Sequence, residues 1–266
     1  MNNKKISILG IPFDENSSYK KGPSLAPKLI EEALHSDSSN MWTECGINLK
    51  TNNNWVFEKN IDFNKNIDFF AHIETSIENL LNQNKNVISL GGDHSITYPI
   101  INAYSKKYNN LTILHFDAHP DLYDELDGNK FSHASPFARI MEKHLVNNLI
   151  QVGIRTLTGH QKEQAEKFNV KIIDMKNISK FGELKIKGDI YISFDMDCLD
   201  PAFAPGVSHF EPGGMSTREV LSIIQNLNVN LVGADIVEYN PKRDINGMTS
   251  MVAAKILKEI LAKMIN

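Results

Sequence analysis

Short apolar runs rich in β-branched residues recur along almost the whole chain, and they predict the strands of a sheet. Each run spans only four to six residues, which is too short for a typical helix and usual for a buried strand. The predicted strands are 6–10, 87–90, 111–116, 149–152, 170–174, 189–194 and 231–236.

Between these runs, apolar residues recur every three or four positions, as on one face of an amphipathic helix. Ile73, Ile77 and Leu80 predict a helix over residues 70–84. Residues 216–219 read Ser-Thr-Arg-Glu, a capping box that predicts the start of another helix. The apolar stripes of the last two predicted helices are Val220, Ile223, Ile224 and Leu227, and then Val252, Ile256, Ile260 and Met264.

Strands that alternate with helices predict an α/β fold, with a parallel sheet covered by helices on both faces. A length of 266 residues suits one large domain of this class. The sequence shows no internal repeat and no clear linker, so residues 1–266 are predicted to form a single domain. Residues 36–66 show the least regular pattern and receive no element.

Composition narrows the classes of partner and the cellular setting. A net charge of -4 argues against nucleic acid as the main partner, because phosphate binding needs a basic face. The sequence has no run of about 20 apolar residues that would span a membrane. Residues 1–5 lead straight into the first predicted strand without an apolar signal segment. Cys45 and Cys198 are too few for a disulfide framework, so we expect a reduced, cytoplasmic setting.

Clusters of polar residues follow four of the predicted strands, at the edge where parallel sheets bind ligands. His94 follows the strand over 87–90, and Asp117, His119 and Asp121 follow the strand over 111–116. In an extended chain, positions 117, 119 and 121 would point to the same side. Such a concentration of ionisable groups is costly unless it is neutralised, and this segment contains no Lys or Arg. The pattern therefore favours a metal site.

Two more carboxylates, Asp195 and Asp197, follow the strand over 189–194. The clusters together supply two imidazoles and four carboxylates, whose charge two divalent cations would cancel. Oxygen-rich coordination with imidazole favours an ion such as Mn²⁺. Cys198 is expected to be a small buried residue, because its offset turns it away from the two aspartates. Glu238 follows the last strand, where it could equally form an ordinary ion pair or act in a site.

These clusters, in this order, resemble the ureohydrolase family of arginases and agmatinases. The resemblance runs through most of the chain, from GIPFD at residues 10–14 to DMDCLDPAFAPGVSHFEPGG at 195–214. It is closest to plant-type arginases in DAHPDLYDELDGNKFSHASPFARIME, QVGIRT and VGADIVEYNPKRDINGMTSMVAAK. The resemblance implies a three-layer α/β/α arginase-like fold with a central parallel sheet, two Mn²⁺ ions per chain, and homotrimers or homohexamers.

The resemblance also implies roles for single residues. One manganese ion would bind His94, Asp117, Asp121 and Asp195, and the other would bind Asp117, His119, Asp195 and Asp197. His133 falls on the family's proton-shuttling histidine, and Glu238 falls on the carboxylate that orients the guanidinium group. The implied reaction is direct hydrolysis of a small guanidino substrate by metal-activated hydroxide, which releases urea.

The choice of substrate stays open between several guanidino compounds. Similarity to plant-type arginases favours hydrolysis of arginine to ornithine, with agmatine to putrescine, or another guanidino acid, as the alternative. The loop after Asp121 lacks the head-group pattern of animal arginases. Its acidic residues, Asp124 among them, could bind agmatine's second cationic end or could form a solvated face.

Two other classes of function are weaker alternatives. One is a metal-dependent binding or regulatory protein that retains the fold, although all the expected site positions are filled. The other is a single-zinc amide hydrolase, against which the second histidine and the paired aspartates argue. Arg155, Thr156 and His160 lie at the same predicted edge, where they could line the pocket, pack or contact a subunit.

Overall fold

The computed structural model describes residues 4–63 and 68–266, and it contains one sheet of eight parallel strands. The strands lie side by side in the order β2-β1-β3-β8-β7-β4-β5-β6. They are β1 Ile6–Gly10, β2 Trp55–Phe57, β3 Asn86–Leu90, β4 Leu111–Phe116, β5 Asn148–Ile154, β6 Lys171–Asp174, β7 Asp189–Asp195 and β8 Asn230–Val237. The α-helices are α1 Ala26–Leu34, α2 Phe69–Asn82, α3 Thr97–Ser105, α4 Pro136–Glu142, α5 Gly159–Lys167, α6 Thr217–Asn226 and α7 Met248–Ile265.

Helices cover both faces of the sheet, so the molecule has the predicted three α/β/α layers. Alternate residues of a strand point to opposite faces. On β1, Ile6 and Ile8 pack into a core that also contains residues of α1, α6 and α7. Leu9 packs on the opposite face, into a core shared with residues of α2 to α5. Burying each such side chain stabilises the fold by roughly 1.5–3 kcal/mol.

The strand order sets the position of the site. Chain connections bring β3, β8, β7 and β4 together as the four central strands. These are the strands that the four polar clusters follow in the sequence, and all of them run in the same direction. Their carboxyl ends therefore meet at one edge of the sheet, where the clusters come together.

The seven predicted strands are all present, and their ends differ from the predicted ones by at most two residues. The predicted helix over 70–84 is α2, and Ser216 and Glu219 form the predicted capping box at α6. β2 was not predicted: it is three half-buried residues at the sheet edge, too short to show a clear alternation. In the described part of the chain, no helix is both long and apolar enough to cross a membrane.

Candidate active site

The first group of site residues surrounds the ring of His94, which begins a 3-10 turn in the segment that follows β3. Its Nδ1 lies 3.2 Å from Asp117 Oδ2, 3.0 Å from Asp121 Oδ2 and 3.2 Å from Asp195 Oδ2. These four residues come from three strand ends, and all four are buried. They correspond to the first of the two ligand sets that the sequence suggests.

The second group surrounds His119. Its Nδ1 lies 3.1 Å from Asp197 Oδ2 and 3.4 Å from Asp117 Oδ1. Asp117 thus stands between the two imidazoles, with one carboxylate oxygen facing His94 and the other facing His119. The Asp195 side chain lies beside Asp197, whose backbone N–H donates to Asp195 Oδ1 at 2.7 Å. The six predicted ligands therefore form one cluster around a shared carboxylate.

The expectation that positions 117, 119 and 121 converge because the chain is extended is wrong. The backbone bends at Ala118 and His119, and Asp121 has a positive φ of 49°, in the left-handed region. Asp197 likewise lies in a 3-10 turn after β7. Tight turns, and not strand alternation, bring these side chains together. Cys198 is buried in the core, as expected.

The cluster places buried carboxylates close together, and protons or cations must neutralise their negative charge. Burial, together with the carboxylates of Asp197 and Asp117, raises the pKa of Asp195 well above its usual value. Burial also acts to raise the pKa of Asp117, but His115 and the other histidines outweigh it and hold that pKa low. Among the ion pairs of the described residues, these carboxylates have histidine partners and no Lys or Arg.

The donor set fits divalent cations. His94 Nδ1 is buried and has no hydrogen-bond partner among the described residues, although three carboxylate oxygens surround it. Its other ring nitrogen, Nε2, lies 3.0 Å from Ser193 Oγ, which in turn donates to Asp235 at 2.8 Å. A histidine whose far nitrogen is held in this way presents its near nitrogen as a metal ligand. Ligand atoms of Asp117, His119 and Asp197 are also close enough together to share an ion.

His133 and Glu238 form a pair beside this cluster. His133 Nδ1 lies 2.8 Å from Glu238 Oε1, and His133 Nε2 lies 2.8 Å from Ser18 Oγ. Burial acts to lower the pKa of His133, but the Glu238 carboxylate raises it, to about 9. Glu238 Oε1 also accepts the His94 backbone N–H, whereas its Oε2 is buried without a partner in the part of the chain described. The backbone of Glu238 is left-handed, with a φ of 62°.

A cavity of about 300 Å³ opens over both groups. His119, Asp121, Asp195, Asp197, His133 and Glu238 contribute to its wall. Sequence reasoning missed His209, whose ring lies between those of His119 and His133 at centroid distances of 5.9 and 5.6 Å. Only its place in the family-like motif at 195–214 could have indicated it. Other lining residues that were not predicted are Ser18, Tyr123, Leu126, Ala134, Thr158 and Gln161.

The remaining predicted residues lie at the rim. Asp124 is not among the residues that line the cavity: its side chain is 59% exposed and pairs with His160, which stacks on Tyr123. Thr156 does line the cavity. Arg155 donates to the backbone carbonyls of Asp197 and Glu211, at 2.7 and 2.6 Å, and so connects the loop at 211 to the turn that contains Asp197.

Comparisons with known proteins point in one direction. The family model described as "Arginase family" matches residues 4–262. A mitochondrial arginase 1 of Arabidopsis thaliana is 46% identical over 275 residues, which cover 97% of this chain and 80% of that protein. An agmatinase of Bacillus cereus is 31% identical and is matched over 91% of its length, and over 97% of this chain. The solved arginase of Medicago truncatula superimposes with a TM-score of 0.92 at 40% identity, covering 98% of this chain and 88% of that one.

Proposed function

We propose that this chain, which belongs to the arginase family, hydrolyses arginine to ornithine and urea. The observation that carries the proposal is the position of Asp117 between His94 and His119, with one oxygen toward each. A carboxylate placed in this way can be shared by two cations, and a two-cation site suits hydrolysis of a resistant carbon–nitrogen bond. The relatives named as arginases, at 43–46% identity, favour arginine as the substrate.

Two Mn²⁺ ions are the cofactor that we propose for this site. His94, Asp117, Asp121 and Asp195 would hold one, and Asp117, His119, Asp195 and Asp197 would hold the other. Bound there, such ions lower the pKa of a water molecule toward neutrality and polarise the group under attack. Two observations support this assignment. His94 Nδ1 is buried without a hydrogen-bond partner among the described residues, and the ion pairs of these carboxylates there are with histidines and not with Lys or Arg.

Glu238 is the residue that we propose binds the guanidinium group. A planar guanidinium pairs well with a carboxylate because its N–H groups match the carboxylate oxygens. Glu238 Oε1 is already held by the His94 N–H and by His133, which fixes the side chain. Its free and buried Oε2 is the oxygen left to accept from the substrate. Glu238 thereby orients the guanidinium carbon toward the ligand cluster for attack by water.

His133 is the residue that we propose protonates the leaving amine. Because Glu238 raises its pKa to about 9, the ring holds a proton at neutral pH. Nδ1 is engaged with Glu238 and Nε2 with Ser18, so both nitrogens have a fixed direction, with Nε2 on the side of the cavity that Ser18 lines. Water adds to the guanidinium carbon, the bond to the substrate's amine nitrogen breaks, and that nitrogen takes up a proton. The products are urea and the amine.

Agmatine is the second candidate substrate, supported by similarity to a named agmatinase. Asp124 would contact the outer end of a bound substrate only if that end reaches the rim, where the residue is exposed beside His160. We therefore propose a contribution of Asp124 to substrate choice and none to the reaction itself.

Urea release from arginine, agmatine and guanidinobutyrate, measured in parallel with Mn²⁺-loaded protein, tests the substrate. We expect kcat/KM for arginine to exceed the other two by at least about tenfold, the ratio that 1.4 kcal/mol of differential binding produces. A higher value for agmatine would reassign the chain to the alternative reaction.

Three broader features remain proposals. We propose that residues 1–266 form a single domain, because one continuous sheet underlies both cores. We propose a homotrimer or homohexamer in the cytoplasm, with no nucleic acid or membrane partner. Several relatives carry "mitochondrial" in their names, so the location needs a direct test by cell fractionation. Light scattering of the purified protein would determine the oligomeric state.

A further inference from the structure

His115 is a buried histidine on β4 that takes no part in the proposed reaction. Its ring is fully buried two residues before Asp117, and its Nε2 lies 2.8 Å from Asp117 Oδ2. The Oδ1 of the same carboxylate accepts the His119 backbone N–H at 2.6 Å. Both oxygens of the central carboxylate are therefore held by a contact within the protein.

The side chain of Gln151 on β5 determines which nitrogen of His115 carries the proton. Gln151 Nε2 lies 2.6 Å from the backbone oxygen of Pro120 and 3.0 Å from His115 Nδ1. A carbonyl oxygen can only accept, so the amide NH₂ must be the group that faces both. In a neutral ring, His115 Nδ1 then accepts from Gln151, and Nε2 carries the hydrogen that is donated to Asp117.

Packing holds this arrangement in place. The ring of His115 lies against Phe137, with a centroid distance of 4.0 Å, so it has little freedom to rotate. Gln151 is buried as well, and its bond to Pro120 anchors the residue before Asp121. The chain of contacts therefore links the shared carboxylate to the turn that carries another predicted ligand.

We propose that His115 and Gln151 are positioning residues that fix the Asp117 carboxylate in the orientation that two metal ions can share. A hydrogen bond to a metal-binding carboxylate restricts its rotation and directs its lone pairs, and here it reaches the same oxygen, Oδ2, that faces His94. Without the donor at Nε2, Asp117 Oδ2 would lose this hydrogen bond, and the carboxylate could turn within the cluster. The inference rests on the proposed two-metal site and assigns no contact with the substrate to either residue.

A matched pair of variants separates the effect of the hydrogen bond from the effect of ring packing. His115→Gln places an amide donor near the position of Nε2, whereas His115→Phe keeps an aromatic ring against Phe137 and removes the donor. Affinity and stoichiometry for Mn²⁺ would be measured by isothermal titration calorimetry on metal-stripped protein. We expect His115→Phe to bind Mn²⁺ about 10- to 100-fold more weakly than the wild type, and His115→Gln to recover most of that loss.

Three outcomes would overturn the inference. Wild-type affinity in His115→Phe would show that the hydrogen bond does not position Asp117. The loss of one whole ion in both variants would show that His115 is itself a ligand, as its closeness to His94 and Asp117 also allows. If His115→Phe does not fold, Gln151→Met provides the test. The proposal requires this variant to weaken Mn²⁺ binding by at least about tenfold, and unchanged binding would refute the positioning role of the two residues. Failure of the wild type to bind Mn²⁺ would instead contradict the proposed function.

Discussion

Replacing Asp117 with asparagine should weaken the binding of both metal ions, because Asp117 faces the imidazole of His94 with one oxygen and that of His119 with the other. A unit charge about 4 Å from another contributes about 4 kcal/mol at an effective dielectric constant of 20. The loss of the carboxylate charge should therefore lower the affinity for each ion by about 1,000-fold or more. Two ions should be lost at metal concentrations that saturate the wild type.

Matched single-site variants make this prediction specific. Asp121 contacts His94 and Asp197 contacts His119, so Asp121→Asn and Asp197→Asn should each release mainly one ion. The exposed Asp124→Asn serves as the control that should keep both. Metal content after equilibrium dialysis would be measured by atomic emission. Retention of two ions and full turnover by Asp117→Asn would refute the shared-carboxylate assignment.

Three further predictions concern the substrate side and the metal-free protein. Glu238→Gln should keep both ions but lower kcat/KM for arginine by about 100-fold, since a charged acceptor for the guanidinium is lost; metal loss in that variant would indicate a structural role. In metal-free protein, the pairing of protonated His133 with Glu238 should stabilise the fold fully below about pH 6.5, and this stabilisation should be lost as the pH rises through about 9. The free energy of unfolding, measured with urea at pH 6 and pH 10, should fall by roughly 3 kcal/mol in the wild type, and His133→Phe should lack this decrease. Equal decreases in the two proteins would contradict the pairing of His133 with Glu238. Chelation should lower the melting temperature, because ions that bind only the folded state stabilise it by mass action; an unchanged value would argue against a site that depends on cations.

Much of the fold followed from the sequence because each strand is a short apolar run bounded by polar residues. The clustering of the predicted site residues followed for a related reason: residues that follow a central parallel strand must lie at one edge of the sheet. The residues that form the cluster were nevertheless predicted by a partly wrong geometry. Asp121 reaches the cluster through a left-handed backbone, and an alternation argument cannot anticipate such a turn.

Contacts between distant parts of the chain could not be predicted from local sequence patterns. Nothing around His133 indicates that it meets Glu238, which lies 105 positions away, and its role entered only through the family resemblance. His115 lies inside a strand, where a histidine ordinarily suggests core packing, and its link to Asp117 depends on Gln151 in a neighbouring strand. Pairings of this kind are set by strand order, which hydrophobic periodicity does not encode.

We infer that hydrolysis of a guanidino group by this chain requires two metal ions held around Asp117. Metal-stripped protein would be titrated with Mn²⁺ while urea release from arginine is followed. We expect negligible urea without metal and a rate that reaches its plateau at two ions per chain. A plateau at one ion would contradict the shared-carboxylate site, and no urea at saturating Mn²⁺ from any guanidino compound would contradict the function itself.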